Sequence, residues 1–357
     1  HFPKQAPVRQ VQKRFEYPIN NSVAFVQVHI FHGAKIVSFR IGRVRNPFVF
    51  FAPMKNDGTR YLIVIGGATA TGKTALAIRL AQHFDTDILS ADSRQFYREM
   101  SIGTAKPTPA ELAQAPHHFI DSLSVQDDFS VGDFERAALA LLEDIFKRKN
   151  VAILVGGSGL FLQAVCEGLD HFPEVSAEIK QKVSAEFEKL GLPWLQEEIR
   201  RIDPAYFATV DQQNPARLRR ALEVFYAAGL PYSSYLGKNK AVRAFTPVYL
   251  LLDVPRPELY QRIEARVDDM LVAGLEKEAR NLLPFRHLSA LRTVGYDEFF
   301  EYFDGDITYA EAVDKIKQHS RNYAKRQATW FRKHGNWMAL RPGDWEGILN
   351  YVTDLTR

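Results

Sequence analysis

The chain has 357 residues, 46% hydrophobic and 25% charged, an ordinary globular composition that suits one large domain or two smaller ones. One cysteine, Cys166, excludes a disulfide framework and makes a reducing, cytoplasmic home the default, and no apolar run approaches the roughly 18 residues of a membrane span. The formal charge of +4 is unevenly spread: residues 1–53 carry eight Lys or Arg against one acid, Glu16, a local +7 that leaves −3 for residues 54–357, so a nucleic-acid role has to rest on local basic clusters.

Residues 1–57 read as an extension. Prolines are scattered through it without helical period, and "SVAFVQVHIF" and "KIVSFRIGRV" suit short strands. The chain starts at His1, and Met54 looks like a natural start. The extension then reads, in order of fit, as a translated upstream stretch, as a basic arm that touches RNA, or as an organelle presequence. The prolines and apolar runs fit the last of these least.

From Tyr61 the pattern alternates. "YLIVI" (61–65) is an apolar strand, followed by Gly67, Ala68, Thr69, Ala70, Thr71, Gly72, Lys73 and Thr74, and then by the helical run "TALAIRLAQHF". Strand, G-x-x-x-x-G-K-[ST], helix is the context of a phosphate-binding loop. Backbone N–H groups and the helix N-terminus face an anion, Lys73 adds charge, and the Thr74 hydroxyl can reach Mg²⁺. A second strand, "TDILSA" (86–91), ends at Asp92. A helix over 131–150 and a third strand, "VAILV" (151–155), lead to the small residues "GGSG". This predicts an α/β fold, a P-loop parallel sheet with helices on both faces, with Gly67–Thr74, Asp92 and Gly156–Gly159 converging at the C-terminal strand ends. The core runs over 58–172, a helical insertion over 173–243, and the core continues over 244–357 with the strand "PVYLLLDVP" (247–255), one long helical pattern from Pro257 to Leu283, and a helix over 309–334. The strand "VAILV" lacks the terminal Asp that helps hold Mg²⁺ in many nucleotide hydrolases, which makes a phosphorylated substrate plausible in place of a fuel nucleotide.

These motifs together resemble the tRNA dimethylallyltransferases. The resemblance runs from about Arg60 to Trp337. It rests on "GATATGKT" (67–74), "DSRQFY" (92–97), "GTAKPTPAEL" (103–112), "PHHFIDSL" (116–123), "GGSGLF" (156–161), "NPARLRRALEV" (214–224), "LRTVGYDEF" (291–299) and "KRQATWFR" (325–332). The chain departs from the family pattern at Ala68, Thr71, Ser158, Phe161 and Lys180, where the family has Pro, Ser, Thr, Tyr and Arg. One cysteine cannot build the Cys/His metal finger of some eukaryotic members.

The resemblance implies that the N6 amine of an adenosine beside the anticodon attacks C1 of dimethylallyl diphosphate and that pyrophosphate leaves. The loop then holds the leaving group, with Lys73, Thr74 and Mg²⁺ stabilising its charge. Asp92 is the candidate general base; a helix cap and a Mg²⁺ ligand are its alternatives. Ser93, Arg94, Gln95 and Ser158 are candidates for contact with the flipped base, against local turn bonding for Gln95 and Ser158. Lys180, the segment Ala216, Arg217, Leu218, Arg219 and Arg220, and the group Lys325, Arg326, Trp330 and Arg332 are the RNA-side candidates. The implied enzyme is a monomer. Two other classes compete. A P-loop phosphotransferase would need an arginine-bearing lid, which the insertion can supply. A non-catalytic RNA-binding protein would carry the loop as a relic.

Overall fold

A computed structural model describes residues 58–356 except 238–240, together with the backbone of four strands nearer the N-terminus. The chain divides into two units near residue 60. In the first, β1 (Lys13–Ile19), β2 (Ser22–Phe31), β3 (Ala34–Arg40) and β4 (Val49–Phe51) pair as an antiparallel meander. The two strands expected from the sequence are β2 and most of β3.

The second unit is built on six strands: β5 (Tyr61–Gly67), β6 (Ile88–Ser90), β7 (His117–His118), β8 (Val151–Val155), β9 (Thr246–Leu252) and β10 (Met338–Leu340). Every pairing is parallel, in the order β10-β9-β5-β8-β6-β7. Central β5 is buried along its whole length, which is why its sequence is continuously apolar instead of alternating.

Among the described residues, twelve α-helices cross between and beyond these strands: α1 (Lys73–Phe84), α2 (Pro109–Leu112), α3 (Val131–Ile145), α4 (Gly159–Glu167), α5 (Ala177–Ile202), α6 (Pro204–Phe207), α7 (Pro215–Ala228), α8 (Arg256–Ala273), α9 (Leu275–Leu282), α10 (Asp297–Asp304), α11 (Tyr309–Lys333) and α12 (Trp345–Thr356). The strand side chains divide by parity. Ile63, Ile65 and Ile153 pack with α1 and α12, whereas Leu62, Val64 and Leu154 pack with α3, α4 and Phe331 of α11. Helices therefore cover both faces, as the sequence pattern predicts.

The expected helix over 131–150 ends at Ile145, and the pattern after Pro257 is two helices, not one. Gly274, at φ +100°, ends α8 and turns the chain into α9. β7, β10 and α12 go beyond the predicted elements. The insertion, α5 to α7, has its own core of Val183, Leu195, Ile199, Leu218 and Leu222. Gly191, at φ +73°, kinks α5 two residues before Pro193.

Candidate active site

β5 ends at Gly67 and α1 begins at Lys73, so the loop between them must reverse within a few residues. It does so through left-handed backbone at Ala70 (φ +63°) and Gly72 (φ +90°), with Gly67 at φ +149°. Thr71 is buried and its hydroxyl donates to the Ala68 carbonyl at 2.9 Å, which fixes the turn from inside. The Lys73 ammonium donates to the same carbonyl at 2.7 Å. Its pKa is lowered to about 8: burial disfavours the charged form and Arg266 adds to that, while Asp92 opposes both.

The loop opens into a cavity of about 400 Å³, with Thr69, Lys73 and Thr74 at one end and Asp92 beside them. Ile263, Val267, Met270 and Leu275, from α8 and α9, line an apolar stretch of its wall. The convergence of loop and Asp92 follows from a parallel sheet, whose strands all deliver their C-terminal ends to one edge.

Asp92 follows β6 and closes a turn. Its Oδ1 accepts the Arg94 N–H at 3.0 Å, and no helix starts there, which removes the helix-cap alternative. Among the described residues, no hydrogen bond engages its Oδ2. Ser93 and Ser158 hold each other: the Ser93 N–H donates to Ser158 Oγ at 3.3 Å, and the two hydroxyls lie 3.4 Å apart. Gln95 lines the cavity, but its amide is used internally. Oε1 accepts from Ser90 Oγ, and Nε2 donates to the Thr104 and Ala105 carbonyls, each at 3.2 Å. The alternative of local bonding therefore describes Gln95 in this structure.

At the three glycines of Gly156–Gly159 the space that a side chain would need is already filled by protein. A Cβ on Gly156 would run into the Ala91 carbonyl, one on Gly157 into Gln327, and one on Gly159 into the Trp330 ring. The small residues serve the close approach of backbone and of α11.

Four side chains that the sequence reading missed complete the site. Gln327, on α11 and buried, accepts the Thr69 N–H at 2.9 Å and donates to the Gly157 carbonyl at 3.0 Å, so it ties two strand-end loops together. Tyr323, one turn earlier, faces Asp92 and Ser158; burial first, and then the Asp92 charge, push its phenol up to about 12. Arg266 of α8 donates to Thr69 Oγ1 at 3.3 Å and has no carboxylate within ion-pair distance among the described residues. Lys106 lines the cavity and donates to the Tyr97 carbonyl at 2.6 Å. A polar side chain on a buried helical stripe was the available signal: Arg266 lies between Ile263 and Val267, and Gln327 between Ala324 and Phe331.

A second cavity, of about 650 Å³, adjoins the first and shares Arg94, Thr293, Val294 and Tyr323 with it. Ser93, Arg292 and Arg326 also line it. Lys325, Arg326 and Arg332 are exposed on α11, whereas Trp330 is half-buried and stacks on His334 with ring centroids 4.6 Å apart.

None of the insertion's candidates lines either cavity. Ala216, Arg217 and Lys180 are exposed. Arg220 lies 3.9 Å from Glu223. Arg219 is half-buried over the Phe187 ring, and Leu218 is wholly buried in the insertion's core. The Leu218 side chain is thus a packing element with no surface to offer RNA.

A family model described as IPP transferase matches residues 95–334. The tRNA dimethylallyltransferase of Flavobacterium johnsoniae is 45% identical over 303 residues, covering 83% of this chain and 98% of the relative. That of Christiangramia forsetii is 49% identical over 275 residues, covering 77% and 91%. Among solved structures, the full-length tRNA isopentenylpyrophosphate transferase of Bacillus halodurans superposes with a TM-score of 0.61 at 34% identity, over 84% of this chain and 97% of that one. A eukaryotic dimethylallyltransferase acting on tRNA superposes with a TM-score of 0.67 at 24% identity, over 83% and 78%, a likeness of fold.

Proposed function

This chain belongs to the IPP transferase family, with the tRNA dimethylallyltransferases among its relatives, and from that premise we propose that it transfers a dimethylallyl group from dimethylallyl diphosphate to N6 of the adenosine immediately 3′ of the anticodon in tRNA, releasing pyrophosphate. It is a prenyltransferase. The observation that carries the reading is a single cavity with a phosphate loop and Lys73 at one end, Asp92 beside them, and an apolar wall of Ile263, Val267, Met270 and Leu275. A diphosphate ester of a short hydrocarbon needs that pairing of surfaces.

The diphosphate lies on the loop N–H groups and Lys73, with Arg266 as a second cation. Arg266 comes from α8, so the phosphate end has its arginine without a lid from the insertion, and the apolar wall is what favours this reading over the phosphotransferase. The adenine leaves the anticodon stack and enters beside Tyr323 and Ser158. Its N6 forms a bond to C1 of the allyl group as the C1–O bond breaks, the electron pair goes to the diphosphate, and the N6 proton goes to Asp92 Oδ2. Lys73 and the loop stabilise the charge growing on the leaving oxygen.

Thr74 would hold Mg²⁺, and Asp92 would join it only in the alternative in which it is a metal ligand in place of the base. Both line the cavity, and among the described residues no set of three His, Cys, Asp or Glu forms a metal cage. That donor set suits a hard cation that takes most of its oxygens from substrate phosphates and water, and such an ion supplies charge neutralisation to the diphosphate. The enzyme acts as a monomer in the cytoplasm; no helix of the described residues is long and apolar enough to cross a membrane.

The experiment is mass spectrometry of tRNA incubated with the protein, Mg²⁺ and dimethylallyl diphosphate. One five-carbon alkenyl group on one adenosine is expected. Unmodified tRNA, together with phosphoryl transfer from ATP to a small acceptor, would decide for the phosphotransferase.

The insertion carries the RNA contacts at Arg217 and Arg220, three residues apart on α7. Arg217→Ala or Arg220→Ala should weaken tRNA binding and reduce the slope of log affinity against log salt by about 0.7–0.9 for each phosphate that the side chain no longer neutralises. Exposed Arg217 should show this more than Arg220, which is near Glu223. Affinity for dimethylallyl diphosphate should stay unchanged, and its collapse with tRNA binding intact would move these arginines to the phosphate end.

A further inference from the structure

The segment Gly103–Pro107 lines the cavity together with residues of α8 and α9. Its anchor is one carboxylate from far along the chain. Glu278 of α9 accepts the N–H of Ser101 at 3.0 Å, of Ile102 at 2.8 and 3.1 Å to its two oxygens, and of Gly103 at 3.0 Å, and it accepts the Tyr296 hydroxyl at 2.7 Å. Successive backbone N–H groups turned to one point form a nest that takes an anion, and here the protein's own carboxylate fills it. Tyr296 is fully buried. Burial, and then the Glu278 charge, hold its phenol well above the ordinary tyrosine value, so it stays a donor. A Cβ on Gly103 would lie 2.6 Å from the Tyr296 ring, so backbone and ring are in direct apposition.

Leu275 also lines the cavity and sits one helical turn before Glu278. One short helix thus supplies part of the lining and grips the root of another part. The gripped segment is tied at its far side to Gln95, whose amide donates to the Thr104 and Ala105 carbonyls and which lies in the turn begun by Asp92.

We infer that Glu278 is a positioning residue: it fixes the gap between Gly103–Pro107 and α8–α9, and so sets the size of allylic chain the cavity admits and, through Gln95, the placement of Asp92. The inference rests on the prenyl-transfer reading of the cavity. The phosphate loop is anchored separately, by Gln327, and does not depend on Glu278.

The test compares wild type with Glu278→Gln in single-turnover reactions on tRNA with dimethylallyl or geranyl diphosphate, alongside the Kd of inorganic pyrophosphate. The variant should lose about 10- to 100-fold in rate with dimethylallyl diphosphate. Its rate with geranyl diphosphate relative to dimethylallyl diphosphate should rise several-fold, while pyrophosphate affinity stays within about threefold. Tyr296→Phe keeps the ring and removes one hydrogen bond. It should shift both readouts in the same direction by about two- to tenfold, and it decides the matter should Glu278→Gln fail to fold. A folded Glu278→Gln with wild-type rate and substrate ratio overturns the inference, as does a loss of pyrophosphate affinity in step with rate. So does Tyr296→Phe at wild-type rate and ratio when Glu278→Gln does not fold. Wild-type protein that makes no prenylated tRNA overturns the underlying function reading instead, before any variant is compared.

Discussion

Asp92→Asn will bind tRNA and dimethylallyl diphosphate as the unaltered protein does and will prenylate about 10²–10⁴-fold more slowly in a single turnover. The Asn side-chain oxygen still accepts the Arg94 N–H that Asp92 Oδ1 now accepts, so the turn after β6 keeps its shape and thermal stability should hold. What disappears is the basicity of the second oxygen and one negative charge. That charge also raises the pKa of Lys73 against burial, so Asn will lower the lysine's pKa further. The comparison therefore belongs at pH 7 or below, where Lys73 is mostly charged in wild type and proton transfer is isolated. If Asp92 instead acts through Mg²⁺, diphosphate affinity will fall with the rate and added Mg²⁺ will restore part of both. Turnover close to wild type would leave Asp92 with the turn alone.

The phosphate loop was legible because its spacing encodes its geometry: a strand that must reverse into a helix around an anion constrains residue types at almost every position. β5 and β8 were legible as unbroken apolar runs, and the parallel pairing of β8 with both β5 and β6 places Asp92, just after β6, beside the loop. Gln95 was not. An amide in a strand-end turn can face a base or its own backbone, and only the carbonyls of Thr104 and Ala105, delivered by a segment nine residues on, decide between the two. Leu218 misled for a related reason: a basic helix start carries RNA-facing and core-facing positions on alternate sides, and a block match does not separate them.

Arg266, Glu278, Tyr323 and Gln327 lay further out of reach. They sit on α8, α9 and α11, far beyond the loops that they face: Gln327 is 258 residues from Thr69 and Glu278 is 177 from Ser101. Helical periodicity marks those faces as buried but does not name what buries them. The single helix expected after Pro257 hid the problem further, because the bend at Gly274 is what brings α9 and Glu278 onto Ser101–Gly103. β10 offers only three residues on a sheet edge, too few for a periodic signal.

Lys73→Met should lower the single-turnover rate by about 10²–10³-fold, the loss that follows removal of one group aimed at charge developing in the transition state. It should also remove a pH dependence that wild type ought to show. In the free protein burial lowers the Lys73 pKa to about 8. A bound diphosphate raises it again, because the anion favours the ammonium, so between the two values each binding event takes up a proton. Affinity for inorganic pyrophosphate is then fully present below about pH 8 and falls as pH rises above it, by up to about tenfold per pH unit until the pKa of the complex is reached. The ligand's own titration is common to wild type and Lys73→Met, so the difference between their profiles isolates the lysine. Calorimetric titration above pH 8, in buffers of different ionisation heat, will report proton uptake for wild type and less for the variant. Profiles that run parallel across this range would mean that the ammonium stays folded onto the Ala68 carbonyl when the anion binds, and that the loop N–H groups and Arg266 hold the diphosphate without it.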